Sequence, residues 1–286
     1  MIFEGGQRVK NRYIHMADAE GFAIPAFNYS DIWEMEAIVE AAQEERATVY
    51  ISTNMRVAET IGLLYLGAMG RTAYELTGGH IINHLDHSKS VELCKRAVDC
   101  GYMSVMIDAS MCSLEENIEK TKEVVEYAHK YGVLVEAEVG RILGRNVEGT
   151  YTGDDYLVQV TDAVKLVEET GVDSLAVGIG TAHGFYKEEP KISIQRLIEV
   201  NQAVSVPLVL HGGTGVPADT VRACIQNGMA KVNVGTQLHA TYLDELRRQL
   251  ERSTAPNISD IMEPVKEAIK PVVKEWIRIC KAENRY

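Results

Sequence analysis

The 286-residue sequence has no apolar run that approaches the roughly 20 residues of a membrane span. Its first residues also lack the basic flank and apolar segment of a signal peptide, so a cytoplasmic location is expected. Only 5 cysteines are present and none forms a CxxC pair. Neither disulfides nor a thiolate metal site is therefore expected.

Positive charge is scarce, with 29 Lys and Arg against 41 Asp and Glu and a net charge of -12. This balance argues against nucleic acid and anionic membranes as partners, and an anionic ligand must be held by a local site. Proline is also rare, at 7 residues, and no Pro-rich or Ser-rich linker interrupts the chain. We therefore predict one domain over residues 1–286, of a size suited to an α/β barrel.

Short apolar runs alternate with helical patterns from about residue 23 to residue 250, and this alternation predicts a parallel sheet. Eight such runs favour a closed (β/α)8 TIM barrel over an open sheet. The predicted strands are Ala23–Asn28, Thr48–Ser52, His80–Asp86, Ser104–Asp108, Leu134–Val139, Ser174–Gly178, Leu208–His211 and Lys231–Val234.

Three segments with apolar residues at helical spacing complete the predicted architecture. Asn11–Ala19 is expected to form a short N-terminal lid helix below the barrel. Ser113–Lys130 begins with capping-box spacing and is predicted to be a helix between strands. Ile258–Ala282 is predicted to be a C-terminal helical extension that packs on the barrel, with another subunit as the less favoured surface.

Three of the 8 histidines, His87, His183 and His211, follow three different predicted strands. In a barrel, the carboxyl ends of the strands carry the catalytic groups. A single His there is more often structural, but three imidazoles at one rim are typical of a catalytic zinc site. Glu138, and less strongly Glu136, is a candidate additional ligand, a group that orients a His, or a ligand of a second metal.

Asp86 immediately precedes His87, so a turn at the strand end is needed if both are to face one site. A carboxylate beside a metal can move a proton to or from an atom whose charge the metal stabilises. We therefore predict a catalytic role for Asp86. The alternative is a loop residue or an N-cap for a helix that begins near Lys89.

Glycine-rich turns end the last three predicted strands, at 180–184, 211–215 and 233–236, and the third opens a helix near Gln237. Free backbone N–H groups, Thr hydroxyls and a helix N-terminus form an anion site, and this rim is the usual phosphate site of such barrels. Lys187 is either an added positive charge or a solvated surface lysine. A metal, a carboxylate and a phosphate site together predict proton transfer or C–C cleavage next to a carbonyl.

Seven segments make the sequence similar to the class II fructose-bisphosphate aldolases, most closely to their tagatose-bisphosphate aldolase branch. The similarity extends over nearly the whole chain. The segments are PAFNYSD (25–31), HLDH (84–87), MIDAS (106–110), EAEVGR (136–141), GVDSLAVGIGTAHGFY (171–186), LVLHGGTG (208–215) and KVNVGT (231–236).

The resemblance implies a lyase that reversibly cleaves a ketose 1-phosphate or 1,6-bisphosphate to dihydroxyacetone phosphate and an aldehyde, through a zinc-stabilised enediolate. It implies one zinc ion on the three histidines, Glu138 as a metal-associated glutamate, and Asp86 as the acid and base toward the substrate hydroxyl. A homodimer or homotetramer is also implied. Candidate positions for the substrate, its phosphate or a nearby Na⁺ or K⁺ ion are Asn28, Ser52, Gly184, Lys187, Gly212, Thr214, Asn233, Gly235 and Thr236.

The sequence departs from the family pattern in a loop and at the substrate's far end. After EAEVGR, Leu143 and Asn146 stand where the family usually has a glycine and an acid, and the candidate substitutes are Glu148, Asp154 and Asp155. Fructose-bisphosphate enzymes also tend to have Asp where Gly235 stands and a basic residue, often Arg, where His239 stands. We therefore expect an aldehyde partner other than glyceraldehyde 3-phosphate.

Three other functions remain open. The first is an aldolase for a deoxy or inositol-derived phosphorylated keto sugar, which the loop and far-end residues favour weakly. The second is a non-catalytic sugar-phosphate sensor, which the altered loop favours and the retained Asp86 and histidines disfavour. The third is a metal-free isomerase barrel, which would leave the three histidines unexplained.

Overall fold

The structure is a computed structural model that describes residues 7–142, 157–186, 190–252 and 257–286. Its strands are β1 (Ile24–Asn28), β2 (Val49–Asn54), β3 (Ile81–Ser88), β4 (Ser104–Ile107), β5 (Leu134–Val139), β6 (Ser174–Val177), β7 (Leu208–Leu210) and β8 (Met229–Val234). All pair in parallel with the next strand along the chain, and β8 pairs with β1 to close the barrel. The predicted (β/α)8 TIM barrel is confirmed.

Helices surround the barrel and follow the strands. Within the described residues they are α1 (Gln7–Glu20), α2 (Ile32–Glu45), α3 (Met55–Ile61), α4 (Leu63–Leu76), α5 (Val91–Asp99), α6 (Leu114–Ala128), α7 (Val160–Thr170), α8 (Ile194–Ala203), α9 (Ala218–Gln226), α10 (Thr236–Arg252) and α11 (Ile258–Ile279). Of these described helices, none has the length and apolarity that crossing a bilayer requires.

A side-chain cap starts helix α6 where the sequence pattern indicates. The hydroxyl of Ser113 accepts a hydrogen bond from the backbone N–H of Glu116 at 3.2 Å, which confirms the predicted start of α6. The helix ends earlier than predicted, because a 3-10 turn, His129–Tyr131, follows it. Such short tight turns are common at helix ends.

The N-terminal helix α1 is longer than the predicted Asn11–Ala19 and lies against β1 and β8. Its Ile14 and Ala17 side chains are buried. The ring of Tyr13 contacts that of His80, which directly precedes β3. The helix therefore covers the amino end of the barrel, opposite the rim where catalytic groups are expected.

The C-terminal helix α11 packs against α2 and α10 and so belongs to the outer layer of the barrel. Buried side chains along one face, Val265, Ile269, Val273 and Trp276, make these contacts. Their spacing of three and four residues is that of an amphipathic helix. The predicted packing of this extension on the barrel is confirmed.

Candidate active site

A cavity of about 250 Å³ opens at the carboxyl ends of the strands. The loops that follow parallel strands converge at this rim, which brings distant parts of the sequence together. The predicted site residues that line the cavity are Asn28, Asp86, His87, His183, Gly184, His211, Gly212, Thr214, Asn233, Gly235 and Thr236.

Other predicted site residues lie elsewhere. Glu138 is buried on β5 and Ser52 is buried on β2, and neither lines the cavity. The hydroxyl of Ser52 has no hydrogen-bond partner among the described residues, whereas Asn54, two positions later, lines the cavity. Lys187 and the loop positions Leu143, Asn146, Glu148, Asp154 and Asp155 lie outside the described residues.

A kink in β3 lets Asp86 and His87 face the same cavity. Consecutive residues of a regular strand point to opposite faces. Here His87 has a left-handed φ of 49°, and the pairing of β3 with β4 shifts register between Leu85 and Ser88. This conformation costs a non-glycine residue about 1–2 kcal/mol. The predicted turn at the end of this strand, which lets both side chains face one site, is therefore present. Ser90 caps α5, so the alternative role of Asp86 as that cap is wrong.

Ring nitrogens of His87, His183 and His211 lie within 4.8 Å of one another. Nδ1 of His87 lies 3.1 Å from Oδ2 of Asp108. Nε2 of His211 lies 2.7 Å from Oε1 of Glu136. Each carboxylate holds a ring proton on the nitrogen that it contacts and leaves the other nitrogen as a bare acceptor.

These two bare nitrogens, Nε2 of His87 and Nδ1 of His211, lie only 2.7 Å apart. Two lone pairs at this distance repel unless a proton or a cation lies between them. The ring of His183 lies 4.7 Å from that of His87, centroid to centroid, and nearly perpendicular to it. The set of donors fits a zinc ion, which binds neutral imidazoles in tetrahedral geometry.

The protonation states of the histidine rings are consistent with a cation site between them. Burial and the neighbouring charge of His87 lower the pKa of His183 to about 3, so this ring is neutral. Burial acts on His87 in the same direction, but nearby carboxylates, led by Asp86, outweigh it and raise the pKa of His87 to about 10. The extra proton lies where a metal cation would bind, and metal binding would release it.

A chain of buried polar side chains continues from His211 into the barrel. Oε2 of Glu136 accepts a hydrogen bond from Nζ of Lys231 at 2.7 Å, and the same Nζ lies 3.2 Å from Nε2 of His84. Nδ1 of His84 lies 2.8 Å from the hydroxyl of Ser104. We call Ser104, His84, Lys231, Glu136 and His211 the interior chain. Because both oxygens of Glu136 are engaged, its carboxylate has one orientation.

Glu138 lies on the other side of His87 from the interior chain. Its Oε2 is 3.7 Å from Nδ1 of His87 and has no hydrogen-bond partner among the described residues. Burial, reinforced by the charge of Asp108, raises the pKa of Glu138 to about 8. His87, Asp108 and Glu138 form a second group of potential ligands, which shares His87 with the three histidines. The role of Glu138 as a metal ligand stays a prediction.

Two asparagines hold the carboxylate of Asp86. Nδ2 of Asn28 donates to Oδ2 at 2.8 Å, and Nδ2 of Asn233 donates to Oδ1 at 3.1 Å. Burial would raise the pKa of Asp86, but the adjacent His87 and His211 outweigh burial and lower it. The side chain is therefore an ionised carboxylate, oriented beside the histidines, that can accept a proton.

The turns after β6, β7 and β8 form a site for an anion. Gly212 has a φ of 71°, and a Cβ atom there would lie 2.4 Å from the carbonyl oxygen of Ala182. Oγ1 of Thr214 is buried without a hydrogen-bond partner among the described residues and can donate to an anion. The helix α10 begins at Thr236 and directs its N-terminal backbone N–H groups to the same place. The geometry fits a phosphate group.

Sequence reasoning missed Lys231, His84 and Asn54. The signal for Lys231 is a cation within an otherwise apolar strand, because a fully buried Lys needs a partner. His84 lies two residues before Asp86 in β3 and therefore faces the barrel interior with it. Asn54 ends β2 and caps α3. It could have been predicted as a rim residue only if the predicted strand had ended at Asn54 and not at Ser52.

Comparisons with known proteins give one consistent result. A family model described as fructose-bisphosphate aldolase class-II matches residues 10–285. The fructose-bisphosphate aldolase of Staphylococcus epidermidis is 38% identical over 284 residues, covering 94% of this chain and 95% of that protein. That of Staphylococcus aureus is 37% identical over 279 residues, with the same coverage of 94% and 95%. The crystal structure of the YdjI aldolase from Escherichia coli K12 has a TM-score of 0.86 and 29% identity, covering 96% of this chain and 97% of that chain.

Proposed function

Because the chain belongs to the class II fructose-bisphosphate aldolase family, we propose that it cleaves a fructose-like or tagatose-like ketose 1-phosphate to dihydroxyacetone phosphate and an aldehyde, reversibly and with zinc. The family consists of lyases that act on sugar phosphates and are generally zinc-dependent. One observation carries the proposal. The inner ring nitrogens of His87 and His211 converge to 2.7 Å beside the carboxylate of Asp86.

The three histidines, His87, His183 and His211, are the proposed zinc ligands. A bound zinc ion supplies a Lewis acid that stabilises the negative charge developing on the carbonyl oxygen of the substrate. Asp108 and Glu136 contact the outer nitrogens of two of the rings and keep the inner nitrogens aimed at one point. The protein therefore supplies the binding geometry before any metal arrives.

Asp86 is the proposed base in the cleavage direction. It takes the proton from the substrate hydroxyl beside the bond that breaks, and it returns a proton to the aldehyde oxygen in the reverse direction. Asn28 and Asn233 each bind one of its oxygens, which fixes the carboxylate without neutralising it. The negative charge of Asp86 is held close to the histidines, where the reacting oxygens would lie.

The turns that contain Gly184, Gly212 and Gly235 are the proposed site for the C1 phosphate of the ketose. Their backbone N–H groups and the N-terminus of α10 provide neutral donors for a dianion, as does the hydroxyl of Thr214, which no described residue pairs with. The oxygen atoms of the same turns are proposed to bind a Na⁺ or K⁺ ion near the phosphate. Anchoring this end places the carbonyl of the substrate over the histidines.

We also propose a cytoplasmic homodimer or homotetramer. Leu243 and Leu250 lie one above the other on α10, and each side chain is 55% exposed. Together with Leu246 they line an apolar groove on the outer surface of the helix. A groove of this kind supports self-association. The molar mass measured by light scattering tests this assignment.

The Asp86→Asn variant tests the proposed reaction. We expect bound zinc in the purified wild-type enzyme, release of dihydroxyacetone phosphate from a ketose 1-phosphate, and loss of that release with a chelator. The variant should keep its zinc but lose roughly 100- to 10,000-fold in kcat, because the amide cannot accept the proton.

A matched control is Asp219→Asn, since this side chain is 96% exposed on α9. It should keep wild-type turnover. If release survives chelation, or if Asp86→Asn retains full turnover, the proposed reaction is wrong.

A further inference from the structure

We propose that the aldehyde partner of this enzyme carries no phosphate, so that its natural substrates are ketose 1-monophosphates with an uncharged, hydroxylated far end. This inference rests on the proposed function and names the substrate class for that same site. It comes from the residues that line the cavity away from the phosphate turns.

The far end of the substrate has to lie across the cavity from its C1 phosphate. The phosphate turns follow β6, β7 and β8, and β2 lies four, three and two strands away from these strands in the closed barrel. Asn54 at the end of β2 and His239 in the first turn of α10 also line the cavity. We call Asn54, His239 and Glu34, which contacts His239, the far wall.

The far wall carries no spare positive charge. Of the described residues that line the cavity, none is Lys or Arg. Nδ1 of His239 lies 2.8 Å from Oε1 of Glu34, whose side chain is only 2% exposed. Oε2 of the same carboxylate accepts a hydrogen bond from the backbone N–H of Ser30 at 2.8 Å. A buried carboxylate with a fixed orientation therefore lies against the imidazole.

A second phosphate would be repelled in these surroundings. Phosphate dianions are bound by Arg or Lys, or by several backbone N–H groups at a helix N-terminus. The far wall offers no Arg or Lys among the described residues, the side chain of Asn54 already caps the N-terminus of the short helix α3, and His239 is paired with the carboxylate of Glu34. The phosphate turns, in contrast, offer backbone N–H groups and the N-terminus of α10 to a dianion.

The hydrogen-bonding groups of the far wall match a hydroxyl instead. Oδ1 of Asn54 accepts from the backbone N–H of Val57 at 3.0 Å, so the amide NH₂ of Asn54 is left to donate. Nδ1–H of His239 donates to Glu34, so Nε2 is left to accept. One donor and one acceptor complement a hydroxyl group, which can both accept and donate.

The test compares aldehydes that differ only in a phosphate. In the synthesis direction, C3 of dihydroxyacetone phosphate loses a proton and forms the new C–C bond, and the aldehyde oxygen takes up a proton. We would measure kcat/KM for glyceraldehyde against glyceraldehyde 3-phosphate, and for erythrose against erythrose 4-phosphate. We expect the unphosphorylated aldehyde of each pair to react at least about tenfold more efficiently, a difference of about 1.4 kcal/mol.

A charge introduced at the far wall should shift this preference. His239→Arg adds a permanent cation with more N–H donors than Glu34 can occupy, so the ratio should move toward the phosphorylated aldehyde by about tenfold. His239→Gln adds no charge and should keep the wild-type ratio. Gln195→Arg adds one positive charge on the exposed surface of α8 and is the charge-matched control. It should also leave the ratio unchanged.

Exchange of the C3 proton of dihydroxyacetone phosphate in D₂O, without any aldehyde, separates the two proposals. If this exchange is absent, the proposed function itself fails. If exchange occurs but the phosphorylated aldehydes react as well as their partners or better, the proposal about the far wall is overturned and the proposed function stands. A His239→Arg variant that exchanges normally and keeps the wild-type ratio would also overturn it.

Discussion

Two regions of the molecule contain Lys–Glu ion pairs of nearly the same length but in opposite surroundings. In the interior chain, Lys231 lies 2.7 Å from Glu136, and the two side chains are 1% and 2% exposed. On the outer surface, Lys270 of α11 lies 2.8 Å from Glu44 of α2, and the two side chains are 14% and 43% exposed. Distance alone therefore does not distinguish these two pairs.

The two lysines differ in how many carboxylates they contact. Lys270 also contacts Glu40 and Glu267, so the loss of any single contact leaves others. Lys231 contacts a single carboxylate among the described residues, and removing either partner leaves a charge buried in the barrel. Desolvation offsets the attraction within a buried pair, so such a pair is weak support for stability. The interior pair instead fixes the orientation of Glu136 and, through it, of His211.

The largest expected effect comes from breaking the interior pair with Lys231→Met. This change removes the cation that contacts Oε2 of Glu136, leaves the buried charge to His211 alone, and should lower the free energy of unfolding by about 3–5 kcal/mol. Chemical denaturation measures the loss. Zinc affinity, measured by competition with a chelating dye, should fall as well, because Glu136 no longer holds one orientation.

The double variant Lys231→Met/Glu136→Gln separates charge burial from orientation. With both charges removed, most of the lost unfolding free energy should return. Zinc affinity should stay roughly 10- to 100-fold below wild type, because the neutral amide is a weaker partner for His211. A double variant that recovers wild-type zinc affinity would show that the ion pair has no part in positioning His211.

The same comparison shows how far the sequence could predict the site. The rim residues were predictable because each follows an apolar run, and parallel strands bring such positions together. His87, His183 and His211 meet in the structure for this reason. The family of the chain, from the resemblance, is confirmed by the comparisons with known proteins. Its closer likeness to the tagatose-bisphosphate branch stays a prediction.

Other features depend on contacts between strands and were not readable. Glu136 and Glu138 are two residues apart on β5, so sequence alone could not assign them different partners. The structure directs Glu136 to Lys231 and His211, and leaves Glu138 near His87. The two glutamates have different partners because different strands lie next to their side chains in the barrel. The order in which the strands pair around the closed barrel determines these neighbours. The kink at His87 has the same origin, because it accompanies a register shift between β3 and β4.

A smaller effect is expected from the surface pair. Lys270→Met keeps much of the apolar length of the side chain and removes its charge, so it should lower the free energy of unfolding by no more than about 1 kcal/mol. Added salt should shrink the difference from wild type, because exposed charges are screened. Zinc affinity and turnover should not change. A loss as large as that of Lys231→Met would contradict the contrast between the two regions.

The smallest effect should come from a surface pair that titrates near neutral pH. Nε2 of His129 lies 2.9 Å from Oδ2 of Asp173, and this hydrogen bond raises the pKa of His129 despite its partial burial. A raised pKa in the folded state means that the stabilisation is complete below the ordinary pKa of about 6.5 and is lost as pH rises through the raised value. His129→Gln keeps a donor for Asp173 but never carries the charge. Its deficit in unfolding free energy should be below about 1 kcal/mol at pH 5.5, since the pair is partly solvated, and should shrink toward zero as pH rises past the raised pKa of His129. A deficit that grows with pH would mean that the ring is bound in its neutral form.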